Sequence, residues 1–94
     1  MDEIHREVIR ENFIYIGENL VLKDILDFLV GEMVLTEDMQ EEILAEKTKK
    51  DKIAKFLFIL PRRGPGAFEK FLEGLDSTKQ DFIADRLRQS YSEM

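Results

Sequence analysis

The sequence predicts an all-α fold, a six-helix antiparallel bundle, on three observations. Apolar residues recur at steps of three and four along almost the whole chain, helix-capping residues stand ahead of several of those runs, and no stretch shows the strict alternation of a half-buried strand. A chain of 94 residues can build one core and not two. Hydrophobic residues at 44% and charged residues at 36% supply the apolar stripes and solvated faces that a folded helical domain needs.

The first segment, residues 3–19, sets Ile4, Val8, Ile9, Phe13, Ile16 and Leu20 on one stripe, with Gly17 expected to weaken or bend the helix near its end. The second, residues 21–32, repeats the pattern with Leu22, Ile25, Leu26, Leu29 and Met33, leaving Asp24, Asp27 and Glu32 on an acidic outer face. Thr36 then reads as an N-cap, followed by Glu37 and Asp38 where negative charge suits the helix dipole, and this third helix runs to Glu46.

Thr48 and Asp51 have capping-box spacing ahead of a helix whose inner face is Ile53, Phe56, Leu57 and Leu60. Pro61 is expected to end it, because proline disfavours helical geometry in the residue before it. Gly64 allows a sharp turn, Pro65 suits a first helical position, and Phe68, Phe71, Leu72 and Leu75 form the next stripe. Ser77 and Gln80 make a second capping-box pair ahead of a last helix with Phe82, Ile83, Leu87 and Tyr91. Short amphipathic helices on short connections can bury their stripes only against one another, hence the bundle.

The net charge of -6 hides a segregation along the chain. Residues 1–46 carry 13 acids and 3 bases, residues 47–63 carry 1 acid and 7 bases, and residues 64–94 carry 6 acids and 4 bases. The basic block consists of Lys47, Lys49, Lys50, Lys52, Lys55, Arg62 and Arg63, with Phe56 and Phe58 inside it. Bases interleaved with aromatics fit a nucleic-acid binder, but the phenylalanines fall on or beside the apolar stripe and read as core, and the rest of the chain carries a net -12 that would repel phosphate. Complementary docking of opposite-signed faces between molecules explains the segregation better. Two different patches on one module also permit head-to-tail contacts.

Little here points to catalysis. The chain has no cysteine, and its one histidine, His5, has no evident partner and reads as a surface or satisfied side chain. Pairs such as Asp24 with Asp27, or Glu37 with Glu41, share a helix face, but such spacing is expected among 20 acids and lacks the tight glycine loop of a calcium site. Gly64-Pro65-Gly66 follows a helix and lacks the ending of a phosphate loop. No cofactor and no metal are expected. No run approaches the roughly 20 apolar residues of a membrane span, and no basic-then-apolar leader opens the chain, so an intracellular soluble protein is expected.

Three stretches bring a family into view: GEMVLTEDM at Gly31 to Met39, LPRRGPGAF at Leu60 to Phe68, and FLEGL at Phe71 to Leu75 followed by Thr78 to Gln80. Together they resemble the caspase recruitment domain (CARD), a member of the death-domain superfold, over nearly the whole chain. Within it the likeness runs to initiator-caspase prodomains and the adaptors that recruit them. The resemblance implies a death-domain-like Greek key with a bent or split first helix, in which residues 1–94 are a single domain excised from a longer protein.

It also implies a non-catalytic module that works by homotypic docking in the cytoplasm, recruiting an initiator caspase to an adaptor or oligomeric platform in apoptotic or inflammatory signalling. The implied partner is another CARD, of a caspase prodomain or an adaptor, with head-to-tail homotypic oligomers, and neither nucleic acid nor membrane. By region and charge, the basic face of helices one and four maps to Arg10, Lys49, Lys50, Lys52 and Lys55, with Arg62 and Arg63 adjoining. The acidic face of helices two and three maps to Asp24, Asp27, Glu37, Asp38, Glu41 and Glu42. Glu11, Asn12 and Phe13 stand where caspase prodomains often carry further arginines on helix one. A stand-alone decoy that occupies a partner's face, or a small helical nucleic-acid-binding protein, are the alternative functions.

Overall fold

Residues 1–94 fold, in a computed structural model, into seven α-helices: α1 (Glu3–Glu11), α2 (Phe13–Asn19), α3 (Leu22–Gly31), α4 (Glu37–Leu44), α5 (Lys49–Ile59), α6 (Ala67–Ser77) and α7 (Asp81–Ser92). Six helices were expected, and the seventh comes from the first segment being split in two. The split lies at Asn12 rather than at Gly17. Asn12 is buried, and its amide Nδ2 donates to the Val8 carbonyl at 2.8 Å and to Ser90 Oγ at 2.9 Å, while its Oδ1 accepts from Arg86 Nε at 3.2 Å. An asparagine that bonds its own helix backbone offers the chain an exit from helical geometry, and the bonds to α7 fix the break in place. Gly17 sits unremarked inside α2, with open space where a Cβ would be.

Three of the seven helices, α1, α4 and α5, start on a side-chain cap. Asp2 accepts from the His5 N–H at 2.9 Å, Thr36 from the Met39 N–H at 3.1 Å and Thr48 from the Asp51 N–H at 3.0 Å, each satisfying a donor that the first turn leaves free. The expected Ser77–Gln80 capping pair does not form. Ser77 belongs to the last turn of α6, Lys79 takes a left-handed backbone (φ 63°), and the Gln80 side chain crosses to the α2–α3 connection. There its Oε1 accepts from the Val21 N–H at 2.8 Å and its Nε2 donates to the Val21 carbonyl at 3.1 Å.

Pro61 ends its helix as expected, while Pro65 does not open the next one. α5 stops at Ile59, ahead of Pro61, and the chain continues into a 3-10 turn, Leu60–Arg62, with Leu60 still helical at φ -53° and ψ -47°. Burial of Leu60 in the core outweighs the local steric preference. Pro65 precedes the helix in a turn closed by the Ala67 N–H on the Gly64 carbonyl at 3.0 Å, so α6 opens at Ala67.

Helices distant in sequence pack together: α1 on α7, α2 on α5, and α3 on α6. That crossing-over, with α4 laid on α3 and α5, is a Greek-key bundle rather than an up-and-down one. Phe56 and Phe71 meet edge to face at its centre, with ring centroids 5.6 Å apart. α3 approaches α6 at Gly74, where an added Cβ would lie 2.6 Å from Phe28 Cδ1 and 2.8 Å from Ile25 Cδ1. The radius of gyration, 12.0 Å, matches the value of about 12 Å expected for one domain of this length.

Several stripe residues turn outward. Ile4, Phe13, Phe82 and Tyr91 are exposed at the edges of their stripes. Phe58 is also exposed and is not core. Met33 is 88% exposed and left-handed (φ 61°), because it ends α3 while the Val34 N–H turns back onto the Leu29 carbonyl at 2.9 Å. His5 is neither on the surface nor satisfied. It is buried against Phe68, ring centroids 4.2 Å apart, and its Nδ1 has no hydrogen-bond partner. The Asp2 oxygen 3.3 Å from Nδ1 takes the His5 backbone N–H instead.

Candidate docking site

α5 carries four of the predicted basic residues, but the fold distributes them. Lys49 and Lys52 lean toward the α2–α3 connection. Lys50 is exposed, and Lys55 Nζ reaches Glu42 Oε1 on α4 at 3.1 Å. That last pair joins one member of the predicted basic face to one of the predicted acidic face. Arg63 turns inward, its Nε donating to the Val34 carbonyl at 2.8 Å, and so ties the end of α5 to the α3–α4 connection.

Arg10 and Arg62 do converge, and they converge with a residue the sequence reading omitted. Arg6, Arg10 and Arg62 line a groove of about 430 Å³ whose floor and walls include Ile9, Phe13, Leu57 and Pro61. Each guanidinium is held by its own fold. Arg6 Nε donates to the Pro61 carbonyl at 3.4 Å, Arg10 pairs with Glu7, and Arg62 donates to the Phe58 carbonyl with its guanidinium 3.8 Å above the Phe58 ring. Arg6, Ile9, Arg10 and Phe13 fall at i, i+3, i+4 and i+7, so one helix face was visible in the sequence. Treating Ile9 and Phe13 as core alone hid Arg6. Helix one therefore contributes two arginines despite Glu11, Asn12 and Phe13.

The predicted acids all stay at the surface, Asp24 and Asp27 on α3 and Glu37, Asp38, Glu41 and Glu42 on α4. Asp27 joins the two helices: it accepts from Gln40 Nε2 at 2.9 Å and from Lys23 Nζ at 3.2 Å. Those bonds, Gln40's first and Lys23's second, hold its carboxyl below the usual aspartate range. Glu37 and Asp38 occupy the first turn of α4, where the helix dipole favours them. Arginines thus gather around one groove and exposed carboxylates on α3 and α4, with the Lys55–Glu42 pair between the predicted basic and acidic faces; planar guanidinium forks match the geometry of carboxylates. No helix is long and apolar enough to cross a membrane.

The family model for the caspase recruitment domain matches residues 6–90. The chain belongs to the caspase recruitment domain family. Caspase-2 of Gallus gallus is 32% identical to it over 94 residues, an alignment that takes in 100% of this chain and 22% of that protein. The chain thus spans less than a quarter of the length of the relative it matches. A CARD is a non-catalytic interaction module that binds domains of its own kind. The run Leu60 to Phe68 that carried the resemblance builds this architecture directly: Leu60, Ala67 and Phe68 are buried, and the residues between them form the turn that presents Arg62.

Proposed function

We propose that this CARD recruits an initiator caspase to an adaptor or oligomeric platform in the cytoplasm, acting as one domain of a longer protein. Docking runs from the basic surface of one domain (Arg6, Arg10, Lys49, Lys50, Lys52, Lys55 and Arg62) to an acidic surface of another that corresponds to Asp24, Asp27, Glu37, Asp38, Glu41 and Glu42 here. What carries this reading is the convergence of three guanidiniums on one groove of a domain whose opposite-signed helices, α3 and α4, keep their carboxylates exposed. Complementary charge raises the encounter rate and rejects partners of the wrong sign.

The test is titration of the domain against the recruitment domains of caspase-2 and of candidate adaptors at two salt concentrations, with duplex DNA as a control. Salt-sensitive binding to one recruitment domain and none to DNA is the expected result. Lys50→Glu with Lys55→Glu should abolish it while helicity stays unchanged, since Lys50 is exposed and Lys55 is held only by a single surface ion pair to Glu42, and such charges add little to folding. Normal binding by that double variant would remove the basic surface from the reading.

A further inference from the structure

A second groove, of about 410 Å³, opens at the N-terminal end of α5. Leu20 and Leu22 are buried beneath it, while Val21 (53% exposed) and Leu44 (42% exposed) stand at the surface, and Lys23, Lys49 and Lys52 line it. Lys49 and Lys52 form no ion pair within the domain, and Lys23 shares Asp27. Val21 cannot turn inward to hide its side chain, because the Gln80 amide bonds both its N–H and its carbonyl. The fold therefore holds an apolar patch outward inside a ring of ammonium groups.

The same chain carries a matching feature on α7. Phe82 is 47% exposed and shares a shallow depression with Glu11, Asp85 and Glu93. The one base there, Arg86, is already engaged, donating to Asn12 Oδ1 at 3.2 Å and lying 4.1 Å above the Tyr15 ring. Asp85 is partly shared with Arg88 at 3.3 Å, and Glu11 and Glu93 have no internal ion pair. An exposed aromatic side chain at the end of a stripe of carboxylates, with Asp85 one turn on and Glu93 about 16 Å along α7, complements an apolar groove bordered by ammonium groups, and aromatic anchors in desolvated grooves carry most of the energy of small interfaces.

We propose that the lysine-rimmed groove of one molecule receives Phe82 of a second copy of this chain. The inference rests on the reading that the domain docks with its own kind; the groove shares Lys49 and Lys52 with the proposed basic surface and adds an apolar contact, to Phe82, that the charged-face pairing does not contain. The two patches differ, so the contact is heterologous and repeats head to tail. Salt weakens it through the lysines and carboxylates, while the apolar centre supplies the hold.

Sedimentation velocity across a concentration series, on the 94-residue chain and on Phe82→Ala and Val21→Glu, tests it. The parent should associate with concentration, and each variant should weaken that association by at least about tenfold, about 1.4 kcal/mol, with unchanged circular dichroism. An equimolar mixture of the two variants should recover association but stop at dimers, because only one intact groove can meet one intact Phe82. A parent that stays monomeric, a Phe82→Ala variant that assembles like the parent, or a mixture that does not recover overturns the proposal. Lys50→Glu with Lys55→Glu separates it from the charged-face reading: that variant should lose the recruitment partner and keep self-association. Loss of self-association there would assign assembly to the charged faces and overturn the groove.

Discussion

α5 is about 16 Å long and carries positive charge at both ends, yet the two ends are built differently. At the C-terminal end Arg62 joins Arg6 and Arg10, and each guanidinium is already fixed by a carbonyl, a carboxylate or a ring of its own domain. At the N-terminal end Lys49 and Lys52 have no such partner and flank an apolar patch held outward by Gln80. A fixed guanidinium fork recognises a carboxylate by geometry, while a mobile ammonium acts as a point charge. The arginine end should therefore govern how tightly and specifically a partner is held, and the lysine end how fast an acidic partner arrives and what apolar residue it brings.

Exchanging the two chemistries tests that division with the largest expected effect. Arg10→Lys with Arg62→Lys keeps every charge and removes the forks. Affinity for the recruitment partner should fall about tenfold, mostly through faster dissociation. The mirror exchange, Lys49→Arg with Lys52→Arg, should leave affinity within about twofold of the parent. Surface plasmon resonance on both variants reads rates as well as affinity. Unchanged affinity in both variants would mean that only net charge matters and would erase the distinction between the two ends.

A smaller effect comes from loosening one end only. The Thr48 hydroxyl accepts from the Asp51 N–H at the start of α5, far from Arg62 at its other end. Thr48→Ala should cost about 1 kcal/mol of stability. Amide exchange should quicken at the first turn of α5, around Lys49 to Lys52, and not around Leu57 to Leu60. Exchange that quickens along the whole helix would show that α5 frays as a single unit and that its two ends are not independent platforms.

The difference between the ends marks where sequence reasoning reached and where it ran out. Periodicity placed the six helical segments, though not the division of the first, because Val8, Ile25, Leu26, Phe56, Phe71 and Ile83 are buried for the reason their spacing implied. Thr36 and Thr48 were legible as caps because the rule is local. The break at Asn12 was not, since what fixes it is a bond to Ser90, 78 residues away. For the same reason Gln80 passed as a capping residue when its partner is Val21. The charge segregation was visible, but not that Lys55 would turn to Glu42 or Arg63 to Val34, nor that Arg6 would complete the arginine groove. Those outcomes depend on which helices become neighbours, which no local pattern encodes.

The smallest expected effect lies on the acidic side and asks whether those carboxylates are as pre-positioned as the arginines. Asp27 is the one acid there that bonds across from α3 to α4, through Gln40, and that bond is the leading cause of its lowered pKa, ahead of Lys23. A carboxyl whose folded pKa lies below its unfolded value contributes stability that is fully present above the unfolded value and is lost as pH falls through the folded one. Asp27 is exposed, so that contribution is small and confined to the acid limb of the stability profile. Gln40→Ala should move the Asp27 carboxyl titration, read by NMR, upward toward the ordinary aspartate value, and flatten the acid limb to match. Binding at neutral pH should change little, because the carboxylate remains ionised there and Lys23 still orients it. A titration midpoint that stays where it was would show that Lys23 alone holds Asp27. The acidic surface would then be two independent helices rather than one braced face, unlike the arginine groove it is proposed to meet.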